Sequence, residues 1–399
     1  MRKKWMKGFT LGVVLTMLTS ITAYAAGPGE EENPIPEGVS QEQWNRLNDQ
    51  TIEFDELSDL ITYFNPNMKN TSDTINNSIG DLEYTKERMQ NQIRDLQIEA
   101  DNLKDSDAIN TIEGMGLYNG MNKQVKGLKT SVEKMARQLE YMSRSDSSLK
   151  SNLVFAAKNY TYFANQIMIG YQSAIANQAM IEKMVELSNA AYEAQKLSQG
   201  LGLATEADVL SAQKDLLSAN GARLKINSTV DNLRQSLCLM TGYSEDAVPT
   251  IGDLPNIDAE ILEAIDLEAD TKKAIGNNYD LISLRHSGSD HTSTGMKYRD
   301  SSVSEAEQNI TITMQSYYRT LMQAKSSYDA SCTAFEKARL EMEKAERSKS
   351  ELISNIQYLQ AQMAYLQARG EKESAYNTMF QAYDTYQWGI KGIIVSENQ

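Results

Sequence analysis

Proline is scarce in this chain, with six in 399 residues and none between 67 and 248 or after 255. Proline lacks the amide that an interior helical turn needs, and its ring clashes with the turn before it. Both proline-free blocks are therefore free to run as long helices. Histidine and cysteine are scarcer still, two of each. His286 and His291 sit in a polar stretch with Asp290 between them and no further His or Cys nearby. A zinc site needs more ligands than that, so the stretch reads as a solvated loop, and no metal or cofactor is expected. Basic charge is short as well: 39 Lys and Arg stand against 54 Asp and Glu, for a formal net charge of −15. That excludes nucleic-acid binding through a general electrostatic footprint. It also disfavours anionic membrane surfaces. No nucleophile with its base, no phosphate loop and no paired carboxylate site emerges, so the chain does not read as an enzyme.

What is present is helical periodicity organised around sharp bends. The stretch from Gly200 to Val209 reads as the turn between two long antiparallel helices. Gly200 and Gly202 suit the end of the incoming helix, because glycine accepts the left-handed backbone found there. Thr205 and Asp208 form a Thr-x-x-Asp capping pair for the outgoing one. Val209, Ala212, Leu216, Ala219, Ile226, Val230, Leu233, Leu237 and Met240 then follow at spacings of three and four, with only Arg223 breaking the stripe. That is a heptad seam.

A second copy lies further on. Leu352 to Leu359 falls over Leu203 to Leu210, which places Ser354 on Thr205 and Gln357 on Asp208. Ser-x-x-Gln is again a capping box. The chain therefore carries an internal duplication, each half built on one hairpin. In the first half, helices are expected at roughly 51–63, 68–104, 121–143, 149–198 and 205–241. A glycine-rich loop at 105–121 and a polar break at 143–148 separate some of these. The second half is shorter, with a Gly/Ser/Thr-rich loop at 285–301 and helices at about 302–350 and 354–388. Residues 243–256 connect the halves, with only a weak strand signal.

The fold class is therefore all-α: elongated antiparallel coiled-coil hairpins in two structural repeats, with little or no β. Residues 1–25 are read as a secretory signal peptide, from Arg2, Lys3 and Lys4, an apolar run from Phe9 to Ile21, and Ala23-Tyr24-Ala25. Residues 26–50 are read as a flexible linker, 51–256 as the first repeat with its bend near 200–208, and 257–399 as the second, with its bend near 350–357. Cys238 lies 33 residues past the first bend and Cys332 lies 22 before the second. With the bends level, the sulfurs sit ~16 Å apart along the axis, too far for a disulfide, so free buried thiols are expected. Tyr160, Tyr317, Tyr358, Tyr365 and Tyr386 fall on packed stripes and read as interhelical packing.

These features resemble the TolC-like outer-membrane efflux proteins. The resemblance rests on the Gly-x-x-Thr-x-x-Asp-Val turn, the two-fold repeat, the Leu-Met-Thr-Gly ending at Leu239 to Gly242, and the half-openings at Thr51 to Pro66 and Asp266 to Asn278. It covers roughly 51–395. It implies a homotrimer whose six hairpins form a hollow tube. That tube would be the passive conduit of an efflux or type I secretion assembly in the cell envelope. It further implies that the hairpin tips dock a periplasmic-adaptor protein belonging to an inner-membrane transporter. The tip residues are Gly200, Gly202, Leu203, Thr205 and Asp208 in the first repeat and Leu352, Ser354 and Gln357 in the second. Two features depart from the family. No ten-residue alternating segments of the kind a membrane barrel needs occur near 70–145 or 283–302, so membrane association stays open. Gln357 and Gln360 also stand where the family often places a pair of tunnel-facing aspartates. An extracytoplasmic coiled-coil scaffold without transport activity is the alternative.

Overall fold

The computed structural model describes residues 27–29, 35–36, 38–106, 111–144, 148–244, 247–286, 293–348 and 355–394. The expected signal peptide lies outside them. The described chain is almost entirely helical. In order it contains α1 (Gln41–Leu47), β1 (Thr51–Ile52), a 3-10 turn (Phe54–Glu56), α2 (Leu57–Phe64), α3 (Pro66–Lys104), α4 (Ile112–Ser143), α5 (Ser148–Gly200) and α6 (Glu206–Thr241). The second half contributes β2 (Thr250–Ile251), α7 (Ala259–Glu263), α8 (Leu267–Asn277), α9 (Tyr279–His286), α10 (Ser293–Ser348) and α11 (Asn355–Ile390). No described helix is both long and apolar enough to cross a membrane.

The chain divides into two compact units. In the unit of Thr62–Ala157, α3 and α4 form a helical hairpin. Asn65 starts α3, its Oδ1 accepting from Asn67 N and Met68 N, with Pro66 at the first helical position. There the missing proline amide removes no helical bond. Ile93, Ala100, Val125, Leu139 and Met142 are buried in this unit.

The other unit, Ala26–Ile61 with Lys158–Gln399, holds the bend between α5 and α6. Helices α6, α5, α11 and α10 lie side by side in that order, each antiparallel to the next. Gln178 bonds Asn227 between α5 and α6. Asn165 bonds Asp384 and Tyr162 meets Trp388 between α5 and α11. Phe335–Tyr365, Tyr328–Tyr376 and Tyr318–Tyr386 stack between α10 and α11. The pairs of the first hairpin centre near residue 202 and those of the second near 351, about 149 apart, the offset that superposes the two repeats in sequence. A core beneath α10 and α11 gathers Leu281, Met314, Leu321 and Tyr386 with α7 and α8. Tyr386 is buried there with its hydroxyl on Asp270 Oδ2 at 3.1 Å. Burial and the adjoining carboxylate push its ionisation well above the ordinary tyrosine range.

Several expected boundaries move. The linker expected at 26–50 contains α1, capped by Ser40 and anchored by Trp44 and Leu47, which are three residues apart on one face and buried. The helix expected from 51 begins at 57. Thr51–Ile52 instead pairs in parallel with Thr250–Ile251, using β-branched residues suited to a pleated strand. The glycine-rich loop at 105–121 is helical from Ile112. Glycine costs about 1 kcal/mol within a helix, and pairing with α3 outweighs it. The polar loop at 285–301 is helical from Ser293, because extending a formed helix adds a hydrogen bond per residue. Asp290 and His291 lie outside the described residues. His286 is exposed at the end of α9. Helices α7 to α9 had no counterpart in the periodicity. Both cysteines are free, but only Cys238 is buried; Cys332 is half-exposed rather than buried.

Candidate functional site

The bend between α5 and α6 is built from two local devices. Leu203 N donates to Ser198 O at 2.8 Å and Gly202 N to Gln199 O at 2.9 Å. Together these satisfy carbonyls that the end of α5 would leave open. Gly202 carries the left-handed backbone this closure needs, with φ +73°. Gly200 does not; it is the last residue of α5, with open space where a Cβ would point.

Thr205 then caps α6. Its Oγ1 accepts from Asp208 N at 3.2 Å, and Asp208 Oδ2 accepts from Thr205 N at 2.8 Å and from Thr205 Oγ1 at 2.7 Å. These bonds from Thr205 side chain and backbone hold the Asp208 carboxyl below its ordinary value. A carboxylate depressed in the folded state adds stability above its unfolded value, which is lost as pH falls through the folded one. The box is therefore expected to persist at neutral pH and open only in acid. Thr205→Ala is expected to cost about 1 kcal/mol. Faster amide exchange over Glu206 to Val209, with the middle of α6 unchanged, is the measurement.

Around this turn the apolar residues face outward. Leu203 is 80% exposed, and Leu197, Leu201 and Leu210 are exposed too. Leu217 and Leu224 continue the row along α6 at seven-residue spacing from Leu203 and Leu210. Seven residues is nearly two full helical turns, so Leu210, Leu217 and Leu224 form one line on α6, flanking the seam that packs on α5. The sequence reading named the small residues of this turn and missed the leucines beyond Leu203, although their spacing is legible once the seam is set aside.

The structure thus brings Gly200, Gly202, Leu203, Thr205 and Asp208 into one tip. Leu352 and Ser354 lie outside the described residues. Gln357 and Gln360 are exposed on the first turns of α11. Among the described residues, no group of three or more His, Cys, Asp or Glu is placed to hold a metal.

Fold and bend together define an all-α protein of antiparallel helical hairpins with a capped, leucine-lined turn. No protein-family model matches the chain, and no curated protein matches it. Among solved structures it is similar to a membrane protein from Pseudomonas aeruginosa, at 12% identity over 85% of this chain and 90% of that one, with a TM-score of 0.46. It is similar also to the outer membrane protein VceC of Vibrio cholerae, at 12% identity over 66% and 76% of the two chains, TM-score 0.44. A third is the CmeC outer membrane channel of Campylobacter jejuni, at 12% identity over 95% and 94%, TM-score 0.44.

Proposed function

We propose that this is an exported TolC-like conduit component of an efflux or type I secretion assembly, through which substrates pass without chemistry. It would act in the cell envelope as a homotrimer, with a periplasmic-adaptor protein docked at the hairpin tips and an inner-membrane transporter supplying energy. The observation that carries this reading is the tip. A bend closed on both sides by its own backbone and cap needs no apolar surface to hold it, yet it displays four leucines to solvent. Exposed apolar clusters of this kind mark surfaces that meet a partner. The row at Leu210, Leu217 and Leu224 supports packing between copies, since seven-residue apolar spacing is the pattern of helices joined lengthwise.

One observation favours the second reading, a coiled-coil scaffold of the envelope without transport. Helices α3 and α4 occupy the region where the resemblance calls for barrel strands. The two readings separate on the double variant Leu201→Asp, Leu203→Asp in the full chain. For the conduit, adaptor capture and substrate export are lost while helicity by circular dichroism is retained. A wild-type chain that supports neither adaptor capture nor export would leave the scaffold.

A further inference from the structure

The seam between α5 and α11 buries a carboxylate between neutral amides. Asp384 is 7% exposed. Its Oδ1 accepts from Asn165 Nδ2 at 2.8 Å and its Oδ2 from Gln166 Nε2 at 3.0 Å. Gln166 is itself tied to the same helix, its Oε1 accepting from Gln381 Nε2 at 2.7 Å. On the other side of the contact, Asn165 is 5% exposed, and its Oδ1 is buried with no hydrogen-bond partner. A buried acceptor without a donor is an uncommon and costly arrangement.

Both Asp384 oxygens thus accept, while the Asn165 amide that donates to one of them leaves its own oxygen without a donor. An ionised carboxylate only accepts; the protonated acid gains one O–H donor. The two ends of an asparagine amide exchange places by a half-turn about the terminal bond. With Asp384 protonated, that half-turn sets the Asn165 carbonyl against the acid's O–H.

We propose that Asp384 and Asn165 form a proton-operated latch across the α5–α11 seam, closed when Asp384 carries its proton and loosened when it does not. The groups around it agree. Burial pushes the Asp384 carboxyl up to about 6, against the hydrogen bonds from Asn165, Gln166 and Trp388 and the field of Lys391, which favour the charged form. On α5, Tyr162 is held neutral by burial, with the Asp384 charge adding to the effect. On α11, Tyr383 is raised by the same two causes. Just past the end of α11, Lys391 lies over the Trp388 ring at 4.3 Å, and Lys158 of α5 donates to the Lys391 carbonyl at 3.4 Å.

The seam has a mechanical meaning. Helix α5 belongs to one hairpin and α11 to the other, so the latch fixes one hairpin against its neighbour. This does not rest on the conduit reading; a scaffold would carry the same latch. A carboxyl raised in the folded state adds stability that is complete below its unfolded value and lost as pH rises through the folded one. The window is therefore between about pH 4 and just above 6.

The test uses the full chain and the nearly isosteric Asp384→Asn. Thermal unfolding of both proteins is followed from pH 5 to 8. The difference in midpoint, variant minus wild type, is expected to rise by several degrees through about pH 6, because the variant cannot ionise. Infrared difference spectra of the wild type between pH 5 and 8 should show a buried carboxylic-acid band at pH 5 that the variant lacks. Parallel midpoint profiles, or the same acid band in both proteins, would each overturn the latch. Adaptor binding and export enter neither measurement, so failure here is distinct from failure of the proposed function.

Discussion

Gly392→Ala is expected to destabilise the folded chain by roughly 3–5 kcal/mol, against about 1 kcal/mol for Gly202→Ala. The two glycines end their helices in the same way. Gly392 has φ +91° and Gly202 φ +73°, and each is followed by a residue whose N–H reaches five residues back, Ile393 to Trp388 O and Leu203 to Ser198 O. A side chain in the left-handed region meets the same backbone penalty at both. Their surroundings differ. A Cβ on Gly202 would meet nothing within 4 Å, while one on Gly392 would run into the peptide joining Asn277 to Asn278. That peptide cannot simply withdraw. Asn277 Nδ2 donates to Ile390 O at 2.9 Å and Asn278 Nδ2 to Gly392 O at 3.1 Å, so the α8–α9 junction is clamped onto the end of α11. Moving it breaks both bonds and disturbs α9, whose Leu281 N is capped by Asn278 Oδ1 at 2.9 Å. Equilibrium chemical denaturation of the two variants checks the ranking. Equal losses would mean that the clamp contributes nothing.

The same comparison shows why the bend at Gly202 was legible in the sequence and the end of α11 was not. A turn closed by Gly202 and capped by Thr205 with Asp208 is local: every partner lies within five positions, so residue type at fixed spacing is enough to read it. The seam along α6 is local in the same sense, because one helix imposes its period on one sequence. The two hairpins repeat at the same fixed offset, with pairs centred near 202 and near 351. Gly392 differs in that its reason lies more than 100 residues upstream, at Asn277 and Asn278. Asn165 and Asp384 are 219 positions apart, and Thr51–Ile52 finds its partner strand at Thr250–Ile251. No periodicity carries such pairings. Composition misled in the opposite direction at 112–121 and 293–301. There glycine, serine and threonine lower helical propensity by an amount that long-range packing overrides. The leucine row had a different obstacle. Leu210, Leu217 and Leu224 fall beside the seam positions, and a reading that looks for one apolar face absorbs them into it. Only their exposure shows that they form a second line.

That distinction between two kinds of leucine carries the second large effect. Leu321→Ala is expected to cost about 3 kcal/mol. Leu321 is fully buried on α10 in the cluster with Met314, Tyr317, Met379 and Tyr386. Truncation loses the transfer free energy of the deleted carbons, and the cavity adds to that loss, since the surrounding helices relax only in part. Relaxation is restricted here on two sides. Tyr386 is tied through its hydroxyl to Asp270 of α8, and Tyr318 meets the Tyr386 ring at 6.3 Å, so neither ring can swing into the space without giving up a contact. Leu224→Ala removes the same atoms from α6, but Leu224 is 69% exposed. Its deletion is expected to change the stability of the isolated chain by less than about 0.5 kcal/mol. Denaturation at low protein concentration compares the two directly. Sedimentation across a concentration series then separates them in the other direction. Leu321→Ala weakens folding without touching a row that other copies would meet. Leu224→Ala leaves folding intact and, on the reading of a lengthwise assembly, weakens self-association alone. A Leu224→Ala chain that unfolds as readily as Leu321→Ala would mean that the row is covered within one chain, and the case for the outward-facing line would fall with it.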